Sequence, residues 1–471
     1  MNKNFLNEIK DIIKEIIKYG GTPYLVGGSV RDYVLKRDIK DVDIEIHNLS
    51  LDKLEECLKK FGRIKLVGKQ FGVLRLHNYD IDWSLPRKDS IGRKPIVQID
   101  PNMTIEMACK RRDLTMNAMA IDLSFVCNDN FDIKNLQIID PYSGLQDIKN
   151  KKLRAVDTKL FNEDPLRFFR VMQFIGRFEF WPDSELNNLC KKMELKDQIT
   201  GVIVAKERIS EEIKKLFLKS QRPSLGFRWL QETDRLKEIF PEIYNLIGVQ
   251  QRPDYHPEGD VFEHTMQALD AAAVFENYDS ESEKHMIMLG VLCHDLGKPV
   301  TTCLENNKWH SKGHCEQGVP IAKKLLKRFM DDQFLIAAIC KMVHYHMRPF
   351  LLIKQKSKLK AFKKLALKIS PQINLRQLAL VNLFDIQGRG SKGAPLIGSC
   401  LNLFEKFLQK AELAQVTHGP EKPVLLGRHL MDVVKPGPQM GKLLKEAYLI
   451  QIEEGIKDIE ELKKRVLQNY K

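Results

Sequence analysis

Apolar residues recur at helical spacing from the start of the chain. Phe5, Ile9, Ile12, Ile13, Ile16 and Ile17 share one side of a 3.6-residue repeat, with lysines between them. This predicts an amphipathic helix, and no stretch of the sequence approaches the roughly 20 apolar residues needed to span a bilayer. The period then changes. A short apolar run, Tyr24-Leu25-Val26, ends at Gly27-Gly28, and alternation follows at Asp41-Val42-Asp43-Ile44-Glu45-Ile46, from Phe71 to Leu76, and again near Ile81. Period two predicts strands. From Phe161 onward the strand signal fades and long helical periods run to the C-terminus. The pattern predicts an α+β protein, an α/β head with a small mixed sheet followed by an all-α body.

Composition narrows this picture. A chain of 471 residues is too long for one compact core, so two or three domains are expected. The 76 Lys+Arg against 62 Asp+Glu leave a net charge of +14, which suits a polyanionic partner such as RNA. Nine cysteines form no C-x-x-C pair, which argues against a zinc ribbon or disulfide framework and for a reducing, cytoplasmic setting. Eight of the twelve histidines fall between His256 and His346, and such clustering marks a second chemical centre.

The first centre is in the head. On a strand, Asp41 and Asp43 project together while Val42, Ile44 and Ile46 enter the core. Two neighbouring carboxylates repel unless cations lie between them, and hard oxygen ligands at this spacing suit Mg²⁺ that also carries phosphate oxygens. Alone, D-x-D describes any half-exposed acidic face. Just upstream, however, stands Gly27-Gly28-Ser29-Val30-Arg31-Asp32. A strand ending in two glycines lets backbone N–H groups near Gly28 approach a triphosphate, and Arg31 could add charge-assisted hydrogen bonds.

GGSVRD followed by DVD resembles the nucleotidyltransferase superfamily that includes CCA-adding enzymes and bacterial poly(A) polymerases. The resemblance extends in order along the chain. Asp82 is a candidate third carboxylate, or a simple strand-end aspartate. Arg111, Arg112 and Asp113 match the family's RRD motif, assigned to phosphate and ribose contacts. Asp140 to Gly144, with Asp147, resembles the loop that closes the head. Glu163-Asp164-Pro165-Leu166-Arg167, continuing to Arg170, matches an E-D-x-x-R element that serves the family as an amino-acid template for the incoming base. The plainer reading of Asp164 is a helix N-cap with Pro165 in the first turn; on one helix, residues 164 and 167 would share a face with 170 close by. The bases explain the template. Cytosine and adenine share an exocyclic amine beside an unprotonated ring nitrogen, so an Asp can accept from one and an Arg donate to the other. Uracil and guanine reverse both contacts, and a buried polar site rejects such a mismatch. Glu207-Arg208-Ile209, with Glu211 and Glu212, resembles a structural brace.

In the body, His264, then His294-Asp295, then Asp385 follow the order of the HD phosphohydrolase superfamily, whose members share these ligands on a metal. Imidazole with carboxylate suits Ni²⁺, Mn²⁺, Co²⁺ or Mg²⁺. His314, His344 and His346 are either outer groups or ligands of a second ion. A Lys-rich stretch, Lys354 to Lys368, reads as a solvated helix face or part of an RNA surface. The tail Lys435 to Gly441 also resembles the end of bacterial CCA-adding proteins, so the likeness covers nearly the whole chain.

The resemblance implies a nucleotidyltransferase head over 1–150, a helical neck that binds RNA and nucleotide over 151–250, an HD domain over 251–395 and a helical tail over 396–471. It implies CCA addition to tRNA from CTP and ATP by two-metal chemistry, with a 2′,3′-cyclic phosphodiesterase or phosphatase activity behind it. Alternatives are a CC- or A-adding specialist, a poly(A) polymerase, or an HD signalling phosphohydrolase with an inactive head. The HD body argues against the poly(A) polymerase. The length of Arg87 to Met107, matching a loop that CC-only enzymes shorten, permits A addition. An inactive head would lack Asp41 or Asp43. Oligomeric state stays open between monomer and dimer.

Overall fold

The computed structural model describes residues 3–39, 42–66, 72–89, 97–128, 136–195, 204–390 and 397–468. The chain is α+β and divides into two compact units, Met1–Leu216 with Arg228–Arg235, and Phe217–Phe227 with Leu236–Lys471.

In the first unit, helix α1 (Lys3–Lys18) buries Leu6, Ile9, Ile12, Ile13 and Ile16, the stripe that its period dictates. It packs beside strand β1 (Thr22–Val26). Strands β2 (Val42–His47), β3 (Ile64–Leu66), β4 (Val73–Leu76), β5 (Ile81–Ser84), β8 (Ala120–Asp122) and β9 (Ile138–Ile139) join β1 in a sheet of order β3-β4-β5-β2-β1-β8-β9. The sheet is mixed: β2 runs antiparallel to β1 but parallel to β5. Beyond it, β6 (Arg87–Asp89) and β7 (Val97–Ile99) pair antiparallel. Helix α2 (Gly28–Val34) follows β1 directly, and α3 (Ile105–Lys110) and α4 (Leu166–Phe178) complete the frame around the site.

The second unit is a helical body. Helices α5 (Val261–Ala273), α6 (Glu281–Cys293), α7 (His314–Leu326), α8 (Gln333–Tyr345) and α9 (Leu375–Gln387) surround its centre. Each of α5, α6, α8 and α9 begins at a side-chain cap: Asp260, Ser280, Asp332 and Asn374 accept from backbone N–H groups three residues on. Within this unit the expectation of helices alone needs amendment. Cys303–Glu305 and Lys308–His310 form a short hairpin, because Asn306 and Asn307 both adopt positive φ, 51° and 57°, the turn conformation that asparagine tolerates. No helix among the described residues is long and apolar enough to cross a membrane.

Candidate functional site

In the first unit, the parallel pairing of β2 with β5 sets Asp43 in register with Asp82. Burying Val42, Ile44 and Ile46 turns Asp43 and Glu45 to the opposite face. That face opens on a cleft of about 300 Å³ lined by Asp43, Glu45, Asp82, Ser84, Arg87, Arg111 and Arg112 among others. Asp41 lies outside the described residues. The Asp43 backbone N–H donates to the Ser29 hydroxyl (3.1 Å), tying the Gly27-Gly28-Ser29 turn to the carboxylate-bearing strand. Gly27 has φ 70°, and a Cβ there would stand 2.3 Å from Arg112 Nη1, so glycine is what lets Arg112 lie across the turn.

Glu45 is a member of this face that a D-x-D reading passes over, although the same alternation reaches it from 41 and 43. Its Oε1 meets His47 Nε2 at 2.9 Å, and its Oε2 stands 3.9 Å from Arg112 Nη2. Burial works to raise the Glu45 carboxyl, but His47 and Arg112 outweigh it and hold it below its ordinary value.

Arg31 is not among the residues lining the cleft. It is buried, donating from Nε to Asp32 (2.9 Å) and from Nη1 to Asn117 Oδ1 (2.6 Å), with the Phe178 ring 4.7 Å away. Asn117 donates to Asp113 Oδ1 (2.9 Å), and Asp113 Oδ2 accepts from Arg170 Nε (2.6 Å). Burial works to raise the Asp113 carboxyl; the Arg170 charge and these hydrogen bonds hold it well below the carboxylate range. One continuous network thus runs from the residues after the Gly-Gly turn to α4, with Glu212 4.0 Å beyond Arg170.

Asp164 is not helical. The ring of Pro165 disfavours the helical region for the residue before it, and Asp164 is extended, with φ −117° and ψ 100°, in the break between helix Thr158–Glu163 and α4. Residues 164 and 167 therefore do not share a helix face. The Asp164 carboxylate instead accepts from the Leu166 N–H (3.0 Å) and from Arg208 (3.0 Å). Arg167 donates from Nη2 to the Arg111 carbonyl (2.7 Å), while its Nη1 is buried without a hydrogen-bond partner.

The second unit brings His264 on α5, His294 and Asp295 just past α6, and Asp385 on α9 into one buried cluster. His264 Nε2 lies 3.2 Å from Asp385 Oδ1, 3.3 Å from His294 Nε2 and 3.8 Å from Asp295 Oδ2. His294 Nε2 lies 3.2 Å from Asp295 Oδ2 and 3.9 Å from Asp385 Oδ1. Ligands held about 2.1 Å from one ion stand roughly 3.0–3.4 Å apart, so this donor set fits a divalent cation. Two further observations support the fit. Asp385 Oδ2 is buried with no hydrogen-bond partner. His294 Nδ1 donates to the Val291 carbonyl (2.7 Å), one of the carbonyls left open at the end of α6, so the neutral ring points an Nε2 lone pair inward.

Glu258 and Lys298 are additions to the sequence-derived set. Glu258 Oε1 takes hydrogen bonds from His256 Nδ1 and His264 Nδ1, each 2.8 Å, which fixes the tautomer of His264. Burial works to raise the Glu258 carboxyl, but the two imidazoles bring it down to about 2. Lys298 Nζ stands 2.6 Å from Asp295 Oδ2. Their signal in the sequence is proximity alone, a glutamate between two histidines and a lysine three residues after the His-Asp pair. Gly297 admits this packing: a Cβ there would stand 2.0 Å from the His314 carbonyl oxygen. His344 stacks edge-on with Tyr345, ring centroids 4.4 Å apart, and does not belong to the ligand groupings found among the described residues.

Comparison with known proteins places both units. Residues 23–154 match the poly A polymerase head domain, 195–246 the probable RNA and SrmB-binding site of polymerase A, and 261–374 the HD domain. The multifunctional CCA protein of Pasteurella multocida (strain Pm70) is 32% identical over 375 residues, covering 78% of this chain and 84% of that protein. The multifunctional CCA protein of Mannheimia succiniciproducens is 32% identical over 376 residues with the same coverage. The fold is shared with the Bacillus stearothermophilus CCA-adding enzyme in complex with CTP, at TM-score 0.63 and 18% identity, covering 99% of this chain and 98% of that one. It is also shared with the Thermotoga maritima CCA-adding enzyme complexed with tRNA, at TM-score 0.54 and 19% identity, covering 100% and 97%.

Proposed function

Because the chain belongs to the family of multifunctional CCA proteins, we propose that its first unit adds C, C and A to the 3′ end of tRNA from CTP and ATP, and that its second unit is a metal-dependent phosphohydrolase. The observation that carries the first half is the cleft in which Asp43 and Asp82 stand in register beside Arg111 and Arg112. Divalent cations such as Mg²⁺, when bound there, lower the pKa of the RNA 3′-hydroxyl and neutralise charge on the leaving pyrophosphate. Asp41 and Asp43 are the residues that hold them, with Asp82 in register with Asp43. Arg111 and Arg112 bind the triphosphate, and Glu45 orients Arg112 over the glycine turn. The buried Arg31–Asn117–Asp113–Arg170 network keeps that turn and α4 in fixed relation, so that base and phosphates are gripped from one frame.

Arg167 and Asp164 select the base. The unpartnered Nη1 of Arg167 donates to the bare ring nitrogen of cytosine or adenine, and Asp164 accepts from the exocyclic amine once the exposed Arg208 yields it. In the second unit, His264, His294, Asp295 and Asp385 hold a divalent ion, with Ni²⁺, Mn²⁺ and Co²⁺ all suited to imidazole and carboxylate. Lys298 and His256, at the edge of the cluster, bind the phosphate of a small substrate such as a 2′,3′-cyclic nucleotide. Its place of action is the cytoplasm.

Incubation with tRNA lacking its 3′ end and each nucleoside triphosphate, read at nucleotide resolution, tests the assignment. The expected products gain two C residues from CTP and a final A only when ATP is present. Asp43→Ala should abolish addition and leave cyclic-nucleotide hydrolysis intact, and His264→Ala should do the reverse. Retention of more than a few per cent of nucleotide addition in Asp43→Ala would remove the carboxylate assignment.

A further inference from the structure

The alternation that turns Asp43 and Glu45 toward the cleft carries His47, at the end of β2, to the same face. His47 is nevertheless buried, and its ring stands edge-on to Tyr24 of β1 with centroids 5.0 Å apart. Its Nδ1 lies 2.7 Å from the Met103 carbonyl oxygen and its Nε2 2.9 Å from Glu45 Oε1. A carbonyl oxygen and an ionised carboxylate both only accept, so both ring nitrogens donate and the ring is an imidazolium. A neutral histidine has a single N–H and would leave one of these two contacts unmade.

The two bonds bracket the helix that delivers the arginines. Met103 immediately precedes Thr104, whose hydroxyl caps α3 by accepting from the Met107 N–H (3.3 Å). Helix α3 ends at Lys110, and Arg111 and Arg112 follow it into the cleft. His47 thus holds the start of α3 directly and reaches Arg112 through Glu45, whose Oε2 stands 3.9 Å from Arg112 Nη2. Charge adds a second reason for the arrangement. Asp43, Glu45 and Asp82 all line the cleft, and a triphosphate there brings more negative charge. A bare Glu45 carboxylate would repel the triphosphate and draw Arg112 into a tight ion pair. With His47 neutralising it, Glu45 orients the guanidinium and leaves its charge and its N–H fork for phosphate.

We propose that His47 is a positioning residue for nucleotidyl transfer, its imidazolium neutralising Glu45 and so keeping Arg112 directed at the triphosphate of the incoming nucleotide. The proposal rests on the reading of this cleft as the site of nucleotide addition. It concerns the triphosphate that CTP and ATP share, so both nucleotides are affected alike and base choice is not.

The test measures KM and kcat of the full-length chain for CTP on tRNA lacking CCA and for ATP on tRNA ending in CC. His47→Gln keeps an N–H donor and removes the charge. It should raise KM for both nucleotides about tenfold while kcat stays within about threefold, the mark of binding lost equally from ground and transition states. Adding Glu45→Gln removes the carboxylate that His47 neutralises, so the double variant should return to within about threefold of the parent KM. A histidine that merely supported the fold would give the opposite, because the second buried change would add to the first. An unchanged KM in His47→Gln, a rise confined to one nucleotide, or a rise that Glu45→Gln leaves in place overturns the proposal. If the parent adds neither C nor A, the reading of the cleft falls and the role of His47 with it; an active parent confines any failure to His47. Far-ultraviolet circular dichroism identifies a variant that does not fold. If His47→Gln fails that check, His47→Phe, which fills the space beside Tyr24, carries the same comparison with and without Glu45→Gln.

Discussion

Arg167 holds one guanidinium nitrogen, Nη1, buried and without a partner, while Nη2 is committed to the Arg111 carbonyl. Leaving a buried N–H unmade costs about 1–3 kcal/mol, and an acceptor on the correct base recovers it. Uracil presents an N–H at that position and recovers nothing. Arg167→Ala should therefore lower the ratio of kcat/KM for CTP over UTP by roughly ten- to a hundredfold, more than it weakens triphosphate binding. An unchanged ratio would assign base selection to other residues. At this scale the sequence is most legible where chemistry resides in residue type: Asp43 and the ordered His264, His294-Asp295 and Asp385 set are visible as letters. Direction is less legible. Nothing in GGSVRD says that Arg31 turns inward to Asp32 and Asn117, because that depends on Asn117 arriving from 86 residues away.

Elements decide what those side chains can reach. The α1 stripe and the alternation of β2 are both readable, since each period alone fixes a buried face. The pairing of β2 with β5 is not, because register between strands far apart in sequence is set by the closed sheet. Pro165 ends the reach of local pattern in another way, placing Asp164 before the helix instead of on it. In the body, the turn after α6 packs against the start of α7 only because Gly297 has no side chain. A Cβ there would meet two backbone atoms, the His314 oxygen at 2.0 Å and Gly318 N at 2.6 Å. Neither has a rotamer by which to yield, so overpacking costs at least the usual 1–3 kcal/mol and pushes α7 away from Asp295. Gly297→Ala should lower the melting temperature of the protein and weaken its binding of Co²⁺. A variant that melts and binds cobalt like the parent would show that the close approach is dispensable.

At the scale of the whole chain, the first chemical centre was legible from the glycine turn with its D-x-D strand and the second from the clustering of histidines, but the path of the backbone between units was not. Arg228–Arg235 returns to the first unit without any shift of composition to mark it. What holds the return is local: Trp229 Nε1 donates to Asn187 (2.9 Å), and Arg235 donates to the Cys190 and Met193 carbonyls (2.7 and 2.9 Å). The net charge of +14 also belongs to this scale. Within the Lys-rich stretch, Lys363 and Lys364 pair with Glu421 and Glu453, each at 2.5 Å, and so contribute to the fold. Lys356, Lys358 and Lys360 are exposed. If they meet RNA phosphates, each contact releases bound counterions, and the logarithm of affinity falls with the logarithm of salt by about 0.7–0.9 per contact. Replacing all three by glutamine should weaken tRNA binding at low salt and make that slope shallower by up to about 2–3. Filter binding across a salt series measures both. The same affinity and slope in the triple variant would mean that this stretch only meets solvent, and that the tRNA is held elsewhere.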